Sequence, residues 1–271
     1  MPELPEVETA RRGIAPHVEG QRITRVVVRE RRLRRPIPRG FAKAVAGREI
    51  NDVRRRGKYL LLDAAGGALI IHLGMSGSLR VVRADAPPQK HEHVDLQMSN
   101  GLTLRLRDPR RFGLMVWTGD DPLAHPLLSD LGPEPLSAAF SGDVLLRSSA
   151  GRILPVKQFI MDSRVVAGVG NIYANEALFA AGIHPLRRAG EVTRAEYRAL
   201  SAAIKKVLRR AIARGGTSLR DFVDSSGRPG YFQQHLSVYG RAGEPCPRCG
   251  GAIECVRLGQ RATYFCGRCQ R

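Results

Sequence analysis

Apolar residues recur at helical spacing near the start of the chain, where Val7, Ala10 and Ile14 share one face of the segment Leu4 to Ala15. This pattern predicts one amphipathic helix stopped near Pro16, since proline removes a donor and crowds the preceding turn. From Arg22 to Trp117 the pattern shortens to β-branched or alternating runs, including Ile23 to Val28, Leu60 to Leu62, Leu69 to His72 and Leu102 to Arg107. In the last run Leu102, Leu104 and Leu106 face one way, and Thr103, Arg105 and Arg107 the other. An antiparallel β-sandwich or flattened barrel is expected over residues 1–130.

The run Leu131-Gly132-Pro133-Glu134-Pro135 concentrates chain breakers after the last strand signal, so a hinge is expected at 131–137. Helical patterns dominate beyond it. Asn171 follows Gly168-Val169-Gly170 and opens an apolar helix through Ala181. Thr193 and Glu196 have capping-box spacing, and Leu200, Ile204, Val207, Leu208 and Ala211 form the core stripe of a long helix ending at Gly215-Gly216. No tandem repeat or low-complexity tail is present. The fold class is therefore α+β and multi-domain.

Charge changes the picture. The 271 residues carry 44 Lys plus Arg against 25 Asp plus Glu, a net +19. The excess clusters at Arg29 to Arg35, Arg54 to Lys58, Arg105 to Arg111 and Lys205 to Arg210, and no acidic run offsets it. Single runs of this kind are often solvated faces, but an excess sustained over the whole length favours a nucleic-acid partner. No stretch approaches twenty apolar residues, and Glu3 to Arg12 lacks the apolar segment of a secretory signal, so a soluble cytoplasmic protein is expected.

Cys246-x2-Cys249 and Cys266-x2-Cys269 are sixteen residues apart, the spacing of two knuckles clasping one tetrahedral zinc. Four thiolates leave no open position for water, so the metal is expected to be structural, in a hairpin made basic by Arg248, Arg257, Arg261 and Arg268. Cys255 is the odd cysteine and reads as a buried or free thiol. His91-Glu92-His93 puts two imidazoles at strand spacing, but no further ligands lie nearby in sequence and the segment reads as surface.

The opening Met1-Pro2-Glu3-Leu4-Pro5-Glu6 carries candidate chemistry. With Met1 removed, Pro2 would present a free secondary amine beside a carboxylate. An α-amino group titrates near pH 7.7 to 8.0 against about 10.4 for lysine, so far more of it is free base at neutral pH. The alternative is an ordinary chain start in which Pro5 opens a helix.

Together these pieces resemble the formamidopyrimidine-DNA glycosylase family, bifunctional base-excision enzymes that remove oxidised purines such as 8-oxoguanine. The resemblance spans nearly the whole chain. It is carried by Pro2-Glu3-Leu4-Pro5-Glu6-Val7-Glu8-Thr9, Arg56-Gly57-Lys58-Tyr59, His72-Leu73-Gly74-Met75-Ser76-Gly77, Asp108-Pro109-Arg110-Arg111-Phe112-Gly113, Gly168-Val169-Gly170-Asn171-Ile172-Tyr173 and the four cysteines. It implies a catalytic β-sandwich domain at 1–130, a helix-two-turn-helix domain at 138–235 with a damage-recognition lid at 217–234, and a zinc finger at 236–271. The implied ligands are one structural zinc, no organic cofactor, and damaged double-stranded DNA bound by a monomer.

Carried onto this sequence, the resemblance makes Pro2 the nucleophile at the sugar C1′ and Glu3 the acid/base. Lys58, just before the apolar strand Leu60 to Leu62, becomes the essential phosphate-contacting lysine rather than one more solvated cation, and Glu6 a pocket support, with a carboxylate on the helix dipole as the alternative. Met75, Arg110 and Phe112 become the wedge that fills the space of an everted nucleotide, with Arg110 facing the orphaned cytosine. Met75 and Phe112 folding back into the core is the alternative. His72, Asn171, Tyr239 and Arg261 are implied phosphate contacts, and Lys157 is implied to assist recognition of the oxidised purine. Two rivals stand beside this reading: a pyrimidine-directed glycosylase of the same architecture, and a non-catalytic zinc-bearing DNA-binding protein.

Overall fold

A computed structural model describes residues 2–216 and 236–271. The chain divides into two compact units, one of Met1–Asp130 with Arg214–Gln233, the other of Leu131–Ala213 with Gln234–Arg271. The lid expected at 217–234 lies wholly outside the described residues.

In the first unit a helix α1 (Leu4–Val18) precedes β1 (Ile23–Val28), a short α2 (Phe41–Val45) and seven strands: β2 (Ile50–Arg56), β3 (Tyr59–Ala64), β4 (Gly67–His72), β5 (Ser78–Arg83), β6 (Glu92–Met98), β7 (Leu102–Arg107) and β8 (Leu114–Thr118). They form two four-stranded antiparallel sheets, ordered β1-β6-β7-β5 and β2-β3-β4-β8. Leu60, Leu62, Leu69 and Ile71 of one sheet share a core with Leu79, Val94, Leu96, Leu104 and Leu106 of the other. Val7, Ala10, Ile14 and Val18 of α1 belong to the same core, so the start of the chain is tied to the sandwich by apolar burial.

One expectation changes here. Helix α1 does not stop at Pro16 but continues to Val18. Pro16 and Arg12, whose carbonyl would lose its donor, are both exposed, which leaves that carbonyl open to solvent, while buried Ile14, Ala15 and Val18 hold the opposite face down. The polar face of β7 is also buried: Thr103 and Arg105 are enclosed. Arg105 forms a bidentate pair with Asp95 at 2.8 and 2.9 Å, bonds Glu92 at 3.1 Å, and donates to the Ala86 and Pro87 carbonyls. Charge pairing replaces solvent on that face.

The second unit holds α3 (Gly142–Ser149), α4 (Val156–Met161), α5 (Asn171–Ala181), α6 (Arg194–Ala213) and the hairpin β9 (Glu254–Leu258) with β10 (Arg261–Phe265). The box at the start of α6 is formed on both sides, Thr193 N donating to Glu196 Oε2 at 2.8 Å and Glu196 N to Thr193 Oγ1 at 3.3 Å. Phe179 of α5 shares a small core with Val238, Cys246, Ile253 and Cys266, which joins the cysteine hairpin to that helix.

Candidate active site and nucleic-acid contacts

Pro2 is buried, and Glu3 and Glu6 are each 2 % exposed. Glu3 caps α1: its side chain accepts from the Glu6 backbone, while Glu6 Oε2 accepts from Glu3 N at 2.9 Å. This reciprocal box fixes the backbone on either side of the Pro2–Glu3 peptide at the positive end of a helix. One turn on, the carboxylate of Glu8 pairs with Arg11, Arg12 and Arg55 at 3.0, 2.8 and 3.2 Å. Burial pushes the Glu8 carboxyl up, and the three guanidinium groups outweigh it, leaving the group below its usual range. Because Arg55 lies on β2 and also bonds the Gly57 carbonyl at 2.9 Å, Glu8 fastens α1 to the hairpin that carries Lys58.

That hairpin turns in two residues, Gly57 and Lys58, between the paired Arg56 and Tyr59. Gly57 has φ +57°, which a side chain would strain. Lys58 stands half-buried at the tip. Across the sheet Tyr59 pairs with His72, their rings 4.8 Å apart at 57°. His72 Nδ1 accepts from Gly74 N at 2.9 Å, and burial, followed by the charges of Lys58 and Arg34, pushes its pKa down to about 4. The imidazole is therefore neutral at pH 7, and Nδ1 as acceptor places the proton on Nε2, which can serve only as a donor.

The tip after His72 carries a half-buried Met75, and the tip after β7 carries exposed Arg110 and Phe112. Phe112 is 45 % exposed, and the Arg110 guanidinium lies 5.1 Å from its ring centroid. The two tips touch through backbone: a Cβ on Gly74 would lie 2.3 Å from Phe112 C and 2.4 Å from Gly113 N.

In the second unit Asn171 is the first residue of α5 and its Nδ2 donates to the Ala262 carbonyl at 3.1 Å. Arg261 is exposed at the start of β10. Tyr239 stacks edge-on against Tyr264, centroids 5.1 Å apart. The Tyr239 loop is held by the buried Glu176 carboxylate, which accepts from the backbone of Ser237, Val238 and Tyr239, each at 2.9 Å. Asn175 Oδ1 likewise accepts from Tyr264 N at 2.8 Å. Sequence reasoning missed both residues, although two adjacent polar side chains inside an apolar helix were a usable signal.

The four cysteine sulfurs lie within 4.8 Å of one another. Cys246 and Cys269 are 3.9 Å apart, and Cys249 and Cys266 3.5 Å. A tetrahedron with metal–sulfur bonds of about 2.3 Å has edges of roughly 3.8 Å, so the donor set fits zinc in size and kind. Cys255 is exposed on β9 and stands outside the group.

Three family models match in order along the chain. The formamidopyrimidine-DNA glycosylase N-terminal domain covers residues 1–115, the H2TH domain of the same proteins 131–223, and a zinc finger found in FPG and IleRS 243–271. The chain is 63 % identical over its full length to the whole formamidopyrimidine-DNA glycosylase of Methylococcus capsulatus, and 60 % to that of Stutzerimonas stutzeri. The chain belongs to the formamidopyrimidine-DNA glycosylase family. Among solved structures, MutM (Fpg) from Thermus thermophilus superposes with a TM-score of 0.88 at 41 % identity, covering 99 % of this chain and 98 % of that one. A Lactococcus lactis Fpg mutant in complex with Fapy-dG DNA gives 0.91 at 34 % identity, covering all of both. The four cysteines fall inside the finger match and form this glycosylase's site for one structural zinc.

Lys157 and His93 are both enclosed in the fold. Lys157, expected to meet the oxidised purine, is 1 % exposed, and its Nζ donates to the Ala262 carbonyl at 2.9 Å and to Thr263 Oγ1 at 2.7 Å. Its ammonium braces the finger hairpin from below, a role set by a partner more than one hundred positions away in sequence. His93, expected at the surface, is 8 % exposed and its Nε2 donates to the Asp108 carbonyl at 2.8 Å. Among the described residues no helix is long and apolar enough to cross a membrane.

Proposed function

We propose that this chain is a bifunctional DNA glycosylase and AP lyase of base-excision repair, acting on oxidised purines such as 8-oxoguanine and formamidopyrimidines. The observation that carries the reading is the reciprocal Glu3–Glu6 box, which holds Pro2 and Glu3 buried and adjacent at the positive end of α1. Burial and the positive end of the helix dipole disfavour a protonated amine there. The Pro2 amine, freed by loss of Met1, attacks C1′ of the lesion nucleotide. The glycosidic bond breaks and the base leaves with a proton. Glu3 protonates the ring oxygen as the sugar opens, which leaves an iminium at C1′. The iminium acidifies C2′, so that proton loss expels the 3′ phosphate and a second elimination expels the 5′ phosphate. Lys58, and the neutral His72 through its Nε2 proton, hold the neighbouring phosphates. Asn171 and Tyr239, fixed by the bonds described above, and the exposed Arg261 hold further phosphates from the second unit.

The L. lactis relative has been solved with Fapy-dG DNA and with abasic-site DNA, which supports the same substrate class here. The wild-type L. lactis protein has also been solved with oxidised-pyrimidine DNA, so a broader lesion range is a second reading. Action on chromosomal DNA in a bacterial cytoplasm agrees with the bacterial origin of the relatives. Duplexes with 8-oxoguanine opposite cytosine and with oxidised thymine, compared under single turnover, test the assignment. Faster release of the oxidised purine, with strand cleavage at both phosphates, is expected. Preferred release of the pyrimidine, or DNA binding without cleavage, would point to one of the rivals.

A further inference from the structure

Asp108 is fully buried, and its carboxylate binds the backbone and a side chain of the two tips. Its Oδ1 accepts from Ser76 Oγ at 3.0 Å, on the tip that carries Met75, and from Arg110 N at 3.3 Å. Its Oδ2 accepts from Gly113 N at 2.7 Å, just after Phe112. Its backbone carbonyl accepts from His93 Nε2 at 2.8 Å and from Arg111 N at 3.2 Å, and its N donates to the His91 carbonyl at 3.0 Å. Arg111 is held at φ +57°, a conformation that a non-glycine residue keeps only when its surroundings enforce it. A Cβ on Gly113 would lie 3.0 Å from Asp108 Oδ2 and 2.9 Å from the His72 carbonyl.

A buried carboxylate divided between two loop tips sets their separation, because each bond it makes is charge-assisted and short in reach. We propose that Asp108 is a positioning residue that holds Met75 on one tip and Arg110 and Phe112 on the other at the spacing needed to replace an everted nucleotide. His93 supports it by anchoring its carbonyl to β6. The inference rests on the glycosylase reading, and it assigns Asp108 to extrusion of the lesion, apart from the imine chemistry at Pro2. Extrusion is required of a stacked damaged base in duplex and hardly at all of an abasic site in a single strand.

The test compares Asp108→Ala, Asp108→Asn and Ser76→Ala with the wild type in three measurements. These are single-turnover excision of 8-oxoguanine from duplex, lyase cleavage of a single-stranded abasic site, and the fluorescence rise of 2-aminopurine placed beside the lesion. Asp108→Ala is expected to slow duplex excision at least about tenfold, a fraction of an eversion cost of a few kcal/mol, and to suppress the fluorescence rise. Single-strand lyase activity should stay close to wild type. Asp108→Asn, which keeps one acceptor, should be intermediate, and Ser76→Ala should move the same ratio by less while removing only the bond between tips. Equal loss of both activities in Ser76→Ala and Asp108→Asn, or an unchanged fluorescence rise in any folded variant, would overturn the inference. A wild-type protein that cleaves neither substrate would instead overturn the glycosylase reading.

Discussion

The ammonium of Lys157 lies 2.7 Å from the hydroxyl of Thr263, inside the second unit and shut off from solvent. The same Nζ bonds the Ala262 carbonyl, which also accepts from Asn171, so one lysine links α4 to β10 at the point where α5 begins. Replacing Lys157 with Met keeps the length but leaves the buried Thr263 hydroxyl without this donor and the Ala262 carbonyl with Asn171 alone. The expected cost is about 2–3 kcal/mol, read as a fall in Tm with the preference among lesions unchanged. An altered lesion preference at unchanged Tm would restore a recognition role.

Removing zinc should unfold the finger, because the hairpin has few apolar residues of its own beyond the core it shares with Phe179. Metal analysis is expected to give one zinc per chain. Cys249→Ser should lose it together with duplex binding, whereas Cys255→Ser, altering the exposed fifth thiol, should keep both.

Acid should destabilise the first unit in a window set by His72. Its pKa is near 4 in the fold and about 6.5 when unfolded, so the unfolded chain binds more protons between those values. Stability is complete above pH 6.5 and declines as pH falls towards 4, by a total of about 3 kcal/mol. His72→Gln, with nothing to titrate, should flatten that part of the pH profile in urea unfolding. Glu196 in the second unit, lowered to about 2 chiefly by its bond to Arg187, acts in a separate and lower window: its contribution is present above the usual carboxylate range and lost as pH falls through 2.

Phosphate contacts should appear in the salt dependence of binding. If five or six phosphates are neutralised, log affinity should fall with log salt at a slope of about −5, and Arg261→Ala should make it shallower by roughly one. Arg261 is exposed on β10, so this change should leave Tm nearly unaltered.

Much of this arrangement was legible in local pattern. Strands β1 and β7 coincide with the runs Ile23 to Val28 and Leu102 to Arg107, and α5 with the apolar segment from Asn171 to Ala181. The capping box of α6 and the four cysteines were equally plain, since each is a short-range signature. What local pattern could not give depends on distant partners. Arg105 looks like a solvent-facing strand residue until Asp95 and Glu92 meet it on the neighbouring strand. His93 and Asp108 are fifteen positions apart in sequence and meet only because β6 pairs with β7. Lys157 looks like any other cation of a basic chain until β10 packs over it.

The account depends most on the Pro2 nitrogen as the atom that bonds to deoxyribose. Borohydride reduction during turnover on lesion duplex, followed by proteolysis and mass spectrometry of the cross-linked peptide, tests this directly. The prediction is a peptide that begins at Pro2, lacks Met1 and carries the sugar on its terminal nitrogen. An adduct on Lys58 or another lysine, or full activity in protein that retains Met1, would contradict it.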